Sequence, residues 1–408
     1  MKYYKILILI LALSNAKVFA QYIQDNKKSE NQEKEVFNLR LNSKYKYSLS
    51  NPKIIKIGHV APLTGGISHL GKDNENGVSL AIEEINEKGL EINGKKIHLM
   101  LISEDDEGSS SKAVEAAKKL VDDKVVAVVG HLNSGASIPA SAIYNRANIV
   151  QISPSSTNPQ YTNQGFKSAY RLITPDSNQA PALANYATKT LRAKNIVIID
   201  DATAYGKSLA NDFEETMQAN GANIITHEIT TDKTKDFKDI LSKIKAKNPD
   251  IIMYGGMDIT GAILAKQSAE LGLNAKIFGG DGLCTDNLSR LAGNAVSNVF
   301  CSESGLPIEK MAQGAAFSKK YKKHFNSEAQ IYSPATYDAV YVIVDAMKRA
   351  NSTASAKILE KMPETKLKGI IGNIEFDNKG DLKQGIVTIY NYINNKKTPI
   401  DTISIFSK

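Results

Sequence analysis

The sequence predicts an α/β fold made of two doubly wound parallel-sheet lobes, and three observations predict it. Strand and helix patterns alternate from Ile54 onward, and the alternation restarts near residue 177, giving two successive sets of strand–helix units. Runs such as KVVAVVG (124–130) and DIIMYGG (250–256) are continuously apolar, as expected of strands covered by helices on both faces. The roughly 355 residues after the polar N-terminal region are too many for one core of usual size.

The elements follow in order. Ile54–Ala61 reads as a buried strand, followed by a Gly-rich loop, PLTGGISHLG. The segment ENGVSLAIEEINEKG places Val78, Ala81, Ile82 and Ile85 at helical spacing, and Gly89 closes the helix. KKIHLMLIS is the next strand. Ser109 or Ser110 caps a helix whose stripe is Ala113, Val114, Ala117, Leu120 and Val121. KVVAVVG, a helix after GHLNSGAS, and the strand ANIVQIS continue the rhythm. The second set begins with a helix over 177–190 and the strand NIVIID. A loop holding Tyr205 to Ser208 and a helix come next. ANIITHEIT, DIIMYGG and AKIFGGDG read as strands, separated by the helices DFKDILSKIKAKNP and ITGAILAKQSAELG. The tail is less regular, with helices around 310–325, 335–350 and 354–361 and strands IGNIEFD, GIVTIYNY and TPIDTISIFS.

The ends and the composition restrict the class. MKYYK, the apolar ILILILALS and Val18-Phe19-Ala20 form a secretory signal peptide over 1–20, cleaved after Ala20. Its apolar run is too short to span a bilayer, and no other segment is long enough, so no membrane insertion is expected. No cysteine lies near the cleavage site, which excludes a lipid anchor there, and a bacterial chain of this kind would be free in the periplasm. Residues 21–52 are polar, charged on both signs and aperiodic, and read as a disordered leader. The formal charge is +8; without the signal peptide's three basic residues and the leader's six basic and four acidic ones, about +3 remains. With no arginine clusters or interleaved aromatics, nucleic-acid binding is not expected. Cys284 and Cys301 are a plausible disulfide in an oxidising compartment, two buried thiols being the other reading. The histidines are scattered without ligand spacing, so no metal is expected.

Two loops follow strands and carry small hydroxyls without an acid, base or nucleophile beside them: GHLNSGASIPAS (130–141) and QISPSSTNPQYT (151–162). In open parallel sheets ligands sit at such strand ends, where helix-start amides are unpaired and favour negative charge. Ser134, Ser137, Ser155, Ser156 and Thr157 are therefore candidate donors to a small anion; ordinary helix capping explains either loop equally well. Asp281, between glycines in FGGDGLC, either faces a cleft or sits in an exposed turn. AYGKS fails as a phosphate loop because Asp201 stands where the first glycine must be. No dinucleotide fingerprint or nucleophile elbow is present, so no cofactor and no enzyme activity are expected. Asp105-Asp106-Glu107 reads as a solvated acidic loop.

Taken together, IKIGHVAPLTG, GHLNSGASIPAS, ISPSSTNPQYT, DDATAYGKSLA, YGGMDITGAIL, FGGDG, Tyr337-Asp338-Ala339 and FDNKGDLK resemble the branched-chain amino acid binding proteins of ABC importers, over about residues 53–408. The resemblance implies the type I periplasmic binding fold, with two lobes joined by a three-strand hinge. Lobe 1 would be 53–175 plus 305–384, and lobe 2 would be 176–304 plus 385–408, the tail strands adding to both sheets. It implies that the Ser134 hydroxyl holds the ligand carboxylate and that Ser155 binds through its main chain. Thr157 would contact both ends of the amino-acid backbone, and Tyr205 would close from the second lobe. Asp281, replacing a glutamate, would pair with the ammonium. Tyr332 would line the side-chain pocket, with Leu70 and Met257 where relatives carry aromatics. The partners implied are an amino acid and an inner-membrane ABC permease, with a monomeric protein. Amides, urea or aromatic acids as ligands, or a sensory role, are the alternatives.

Overall fold

The computed structural model describes residues 51–406. The signal peptide expected over 1–20 and nearly all of the leader expected over 21–52 lie outside the described residues. The first sheet holds β1 (Lys53–Ala61), β2 (Leu90–Ile92), β3 (Lys95–Asp105), β4 (Ala127–Gly130), β5 (Val150–Ser153) and β6 (Ala169–Arg171), ordered β2-β3-β1-β4-β5-β6. All its pairings are parallel except that of β2 with β3. Its connections include α1 (Ser68–Lys88), α2 (Ser110–Asp122), α3 (Ser134–Arg146) and the short α4 (Gln160–Asn163).

The second sheet is ordered β15-β14-β11-β10-β9-β7-β8. Its parallel part is β7 (Asn195–Asp200), β8 (Asn223–Ile229), β9 (Ile251–Gly255), β10 (Lys276–Gly279) and β11 (Val299–Ser304). The helices α5 (Asp176–Lys189), α6 (Ala204–Ala219), α7 (Lys238–Lys245), α8 (Asp258–Glu270) and α9 (Asp286–Ala292) accompany these strands. After β11 the chain forms α10 (Gly314–Phe325), α11 (Ser333–Ala350) and α12 (Ser355–Lys361), and α10 and α11 pack against α1 of the first lobe. The small pair β12 (Leu367–Lys368) and β13 (Asn373–Ile374) precedes β14 (Gln384–Ile393) and β15 (Lys396–Phe406), which extend the second sheet antiparallel.

Residue alternation explains why the strands read as continuous apolar runs. In the first sheet Ile55, Ile57 and Val129 pack under α1 and α11, while Val60 and Val128 pack on the other face against Leu120 of α2 and Tyr144 of α3. In the second, Ile196, Ile198 and Met253 meet Leu209 and Phe213 of α6, and Val197, Ile199 and Ile252 meet Leu241 of α7 and Leu264 of α8. Each such side chain contributes about 1.5–3 kcal/mol on full burial.

Three expectations are corrected. First, α1 begins at Ser68, inside the segment read as a loop. Its glycines and polar residues have poor helix propensity, but packing overrides it. A Cβ on Gly71 would stand 2.0 Å from the Pro62 carbonyl oxygen, and one on Gly77 would stand 2.0 Å from Thr336 Oγ1, so glycine is what lets this helix sit so close. Second, β2 has no counterpart in the periodicity reading. It pairs with β3 through Asn93-Gly94, both at positive φ, a two-residue hairpin turn. Third, the tail strands do not add to both sheets. IGNIEFD contributes only the two-residue β13, and both long tail strands join the second sheet.

Cys284 and Cys301 form a disulfide with Cα atoms 5.2 Å apart, tying the loop after β10 to β11 within one lobe. Closing a loop of this size restrains the unfolded chain by about 3 kcal/mol. Reduction is therefore expected to lower the melting temperature by several degrees while leaving the native circular dichroism unchanged. An unchanged melt after verified reduction contradicts this.

Candidate ligand-binding cleft

The loops at the carboxyl ends of β4, β5, β7, β9 and β10 converge between the two sheets. Ser134 opens α3, where the first amides have no intrahelical acceptor. Its hydroxyl oxygen accepts from the Asn158 amide at 3.2 Å, which joins the two hydroxyl-rich loops. Thr157 is fully buried and its hydroxyl has no hydrogen-bond partner. The neighbouring hydroxyls are committed elsewhere. Ser155 Oγ donates to the Leu132 carbonyl at 2.9 Å, and Ser156 Oγ lies 2.5 Å from Ser137 Oγ and donates to the Leu132 carbonyl at 3.2 Å. Ser155 and Ser156 thus brace the loop from within.

The fully buried Arg171, on β6, fixes the second loop. Its guanidinium donates to the carbonyls of Ser156 (2.7 Å) and Asn158 (3.1 Å), to Thr162 Oγ1 (2.7 Å), and to Asp381 (2.5 Å). Burying this charge is tolerable only because all these acceptors converge on it. Sequence reasoning missed Arg171, although a lone arginine in the apolar run AYRLI was a usable signal.

On the opposite side, Asp281 is buried in the loop after β10. It accepts from the phenol of Tyr205, at the start of α6, at 3.1 Å, and from that of Tyr332, just before α11, at 2.7 Å. Tyr205 belongs to the second lobe, whereas Tyr332 rides on α11 of the first. The Tyr205 oxygen also accepts from the Gly282 amide at 3.0 Å. Burial raises the Asp281 carboxyl to about 6, with the two tyrosine hydrogen bonds opposing the shift. Tyr332 is itself held by the buried Asp73 of α1. That carboxylate accepts from the amides of Gln330 (2.9 Å), Tyr332 (3.1 Å) and Ser333 (2.8 Å) and from the Tyr321 phenol (3.0 Å).

Leu70, Leu132, Ile173 and Tyr332 pack into one apolar cluster, joined by the partly buried Met257 from the start of α8. Two further contacts bridge the lobes: His69 Nε2 lies 2.9 Å from Asp258 Oδ2, and the Asn158 side-chain amide donates to the Ala204 carbonyl at 2.6 Å. A cavity of about 330 Å³ lies beside these groups at the inter-lobe connections, lined by Thr174, Ser304, Gly305 and Ile386, and touches the cluster through Tyr332 and Ile173. The converging polar groups, not this cavity, mark the candidate site.

Two acidic residues depart from the sequence reading. Asp106, expected in a solvated loop, is fully buried and bonded to His131 Nδ1 at 2.7 Å. Asp176, the first residue of α5, was not singled out. It is fully buried, and neither carboxylate oxygen has a hydrogen-bond partner. An aspartate at a helix start reads locally as a dipole partner, and nothing nearby in the sequence betrays its burial. Among the described residues no group of side chains suited to a metal ion occurs.

Two parallel-sheet lobes with polar groups facing each other from strand ends define a cleft-binding protein that encloses a small ligand. The chain belongs to the periplasmic binding protein family, whose sequence profile matches residues 54–392. It is 32% identical over 330 residues to the Leu/Ile/Val-binding protein homolog 1 of Brucella abortus, covering 81% of this chain and 88% of that one. A leucine binding protein from Thermotoga maritima superposes with a TM-score of 0.79 at 28% identity, covering 86% of this chain and 98% of that one. The substrate binding protein of a branched-chain amino acid transporter from Streptococcus pneumoniae, solved with isoleucine, gives 0.77 at 27% identity, covering 87% and 100%.

The raised Asp281 value has a consequence for stability. The folded protein holds this proton more tightly than the unfolded chain, so the contribution is fully present below about pH 4 and lost as the pH rises through about 6. Without added amino acid, Asp281→Asn is expected to melt higher than the wild type at pH 8 and close to it at pH 4. Equal or lower melting at pH 8 contradicts that.

Proposed function

We propose that this protein is the substrate-binding component of an ABC importer and captures a branched-chain or similar aliphatic amino acid between its lobes. The observation that carries the reading is Asp281: a buried carboxylate clasped by tyrosines from both lobes, with no basic partner among the described residues. The hydroxyl of Ser134, the first amides of α3 and Thr157 receive the carboxylate of the amino acid. Asp281 receives the ammonium, and Leu70, Met257 and Tyr332 enclose the side chain. Ser155 and Ser156 shape the loop through their hydroxyls while Ser155 offers its main chain to the ligand, and Tyr205 orients Asp281.

The lobes on this reading are 53–175 plus 305–384 and 176–304 plus 385–408. The distribution of strands between the two sheets supports that division. Because the groups for the two ligand charges stand on different lobes, both are neutralised only when the lobes are closed. The ligand therefore favours the closed form, which a hinge switch requires. A signal peptide over 1–20 would export the protein to the periplasm, where the closed monomer would meet an inner-membrane permease. Among the described residues no helix is long and apolar enough to cross a membrane. A buried carboxylate disfavours uncharged amides, urea and aromatic acids, which bring no cation to it.

Calorimetry tests this. Leucine is expected to bind about a hundredfold more tightly than alanine, since each buried methylene is worth about 0.8 kcal/mol. Asp281→Ala is expected to weaken leucine binding more than about tenfold with the fold intact. A neutral amide binding better than leucine, or unchanged affinity in the variant, refutes the assignment.

A further inference from the structure

Asp258 is fully buried in the first turn of α8, beside Met257. Its Oδ2 accepts from Thr285 Oγ1 at 2.6 Å and from the Asn287 side-chain amide at 3.0 Å, both neutral and both from its own lobe, and its Oδ1 has no hydrogen-bond partner. Two neutral donors are a thin replacement for the water such a carboxylate loses. The basic side chain that meets it comes from the other lobe. His69, in the first turn of α1 beside Leu70, is partly exposed and places Nε2 2.9 Å from Asp258 Oδ2. The two segments close on each other here, since a Cβ on Gly66 would stand 2.9 Å from Ile259 Cδ1. The other charged groups on the surrounding elements are engaged elsewhere. On α1, Lys72 pairs with Glu75 at 2.8 Å, and Asp73 takes its donors from the 330–333 segment and Tyr321. Asp105 accepts from the Leu63 amide and the Thr64 hydroxyl in the loop before α1. On α9, Arg290 donates to Asn287 Oδ1 and Asp286 lies 4.0 Å from Lys397. Lys266 and Glu270 stand more than two turns further along α8.

We propose that His69 and Asp258 form a latch between the lobes that sets how long a captured ligand is held, and that protonation of the imidazole tightens it. The inference rests on the amino-acid reading of the cleft and on closure of the two lobes around the ligand. Neither residue is among the groups assigned to the ligand, but each is the chain neighbour of a residue that encloses its side chain, His69 of Leu70 and Asp258 of Met257. The pair therefore straps the pocket shut from outside. Histidine gains its positive charge between about pH 8 and pH 5. A charged imidazole meets the buried carboxylate only when the lobes are together, so closure and proton uptake favour each other. The contribution is largest at low pH and fades as the pH rises, when a neutral imidazole keeps only a hydrogen bond to the carboxylate. Protonation of Asp281 acts on the ligand in the opposite sense, and it is common to the wild type and to variants at position 69, so a comparison at each pH isolates the pair.

The test is the rate at which radiolabelled leucine leaves the full-length protein under a chase of unlabelled leucine, at pH 6 and pH 8, with association measured in parallel. His69→Gln keeps a hydrogen-bond donor but never carries charge. It is expected to release leucine about five- to tenfold faster than the wild type at pH 6 and less than about threefold faster at pH 8, with association unchanged at both. Asp258→Asn is expected to show the same pH pattern, and the double variant to release leucine at pH 6 no faster than the faster single variant. Wild-type release from His69→Gln at pH 6, the same ratio of variant to wild type at both pH values, a loss confined to association, or additive effects in the double variant overturns the latch while leaving the amino-acid reading intact. Failure of the wild type to bind leucine, isoleucine or valine overturns both.

Discussion

A carboxylate stripped of water is the constraint around which the cleft is organised. Asp281 sits between glycines because its neighbours leave no room: a Cβ at Gly280 would lie 2.7 Å from the Tyr205 hydroxyl, and one at Gly282 would lie 2.7 Å from the Met257 sulfur. Two phenol donors are a modest replacement for a full hydration shell. The deficit is visible in the Asp281 carboxyl, which burial raises to about 6. Asp73 is equally buried without a basic partner, but four neutral donors satisfy it, whereas neither Asp176 oxygen has one; an unsatisfied buried acid of that kind is characteristic of a functional site rather than of packing.

The architecture supplies the geometry that this chemistry needs. Strand ends deliver short loops to one side of each sheet, and helices begin there with unpaired amides. Negative charge is favoured at α3, and positive charge at Asp281 across the gap. The loops themselves are rigid. Arg171 holds the loop carrying Thr157 through three acceptors, the Ser156 and Asn158 carbonyls and Thr162 Oγ1, and Ser153, Ser155 and Ser156 tie its hydroxyls to the His131 and Leu132 carbonyls of the preceding loop. Precision at the cleft is thus set by buried polar groups that never face it.

Much of this was legible in the sequence. The two strand–helix sets come from period-two alternation hidden inside uniformly apolar runs, and such runs are easy to recognise. The hydroxyl loops and Asp281 were visible because strand–loop–helix punctuation marks where ligand groups stand. What escaped was set by tertiary packing. The first turns of α1 are glycine-rich and polar, and only the close approach of Pro62 and Thr336 makes them helical. Asp73 lies in the polar run KDNENG and looks solvated, yet it is buried under four donors. Asp176 follows a proline at a helix start and reads as a capping residue. For both aspartates the sequence shows the charge but not the solvent exposure, which is set by segments that fold onto them, for Asp73 as far along the chain as Tyr321 to Ser333.

The grip of Asp73 on Tyr332 orders the events of capture. Because that aspartate holds three amides of the segment 330–333 and a phenol within a single lobe, the aromatic wall is fixed without help from the other lobe. Met257 and Asp281, by contrast, belong to the other half. On the proposed hinge closure an incoming molecule would find a finished berth on one shore and an approaching gate on the other, and its first residence would be set by how well it suits the prepared side alone.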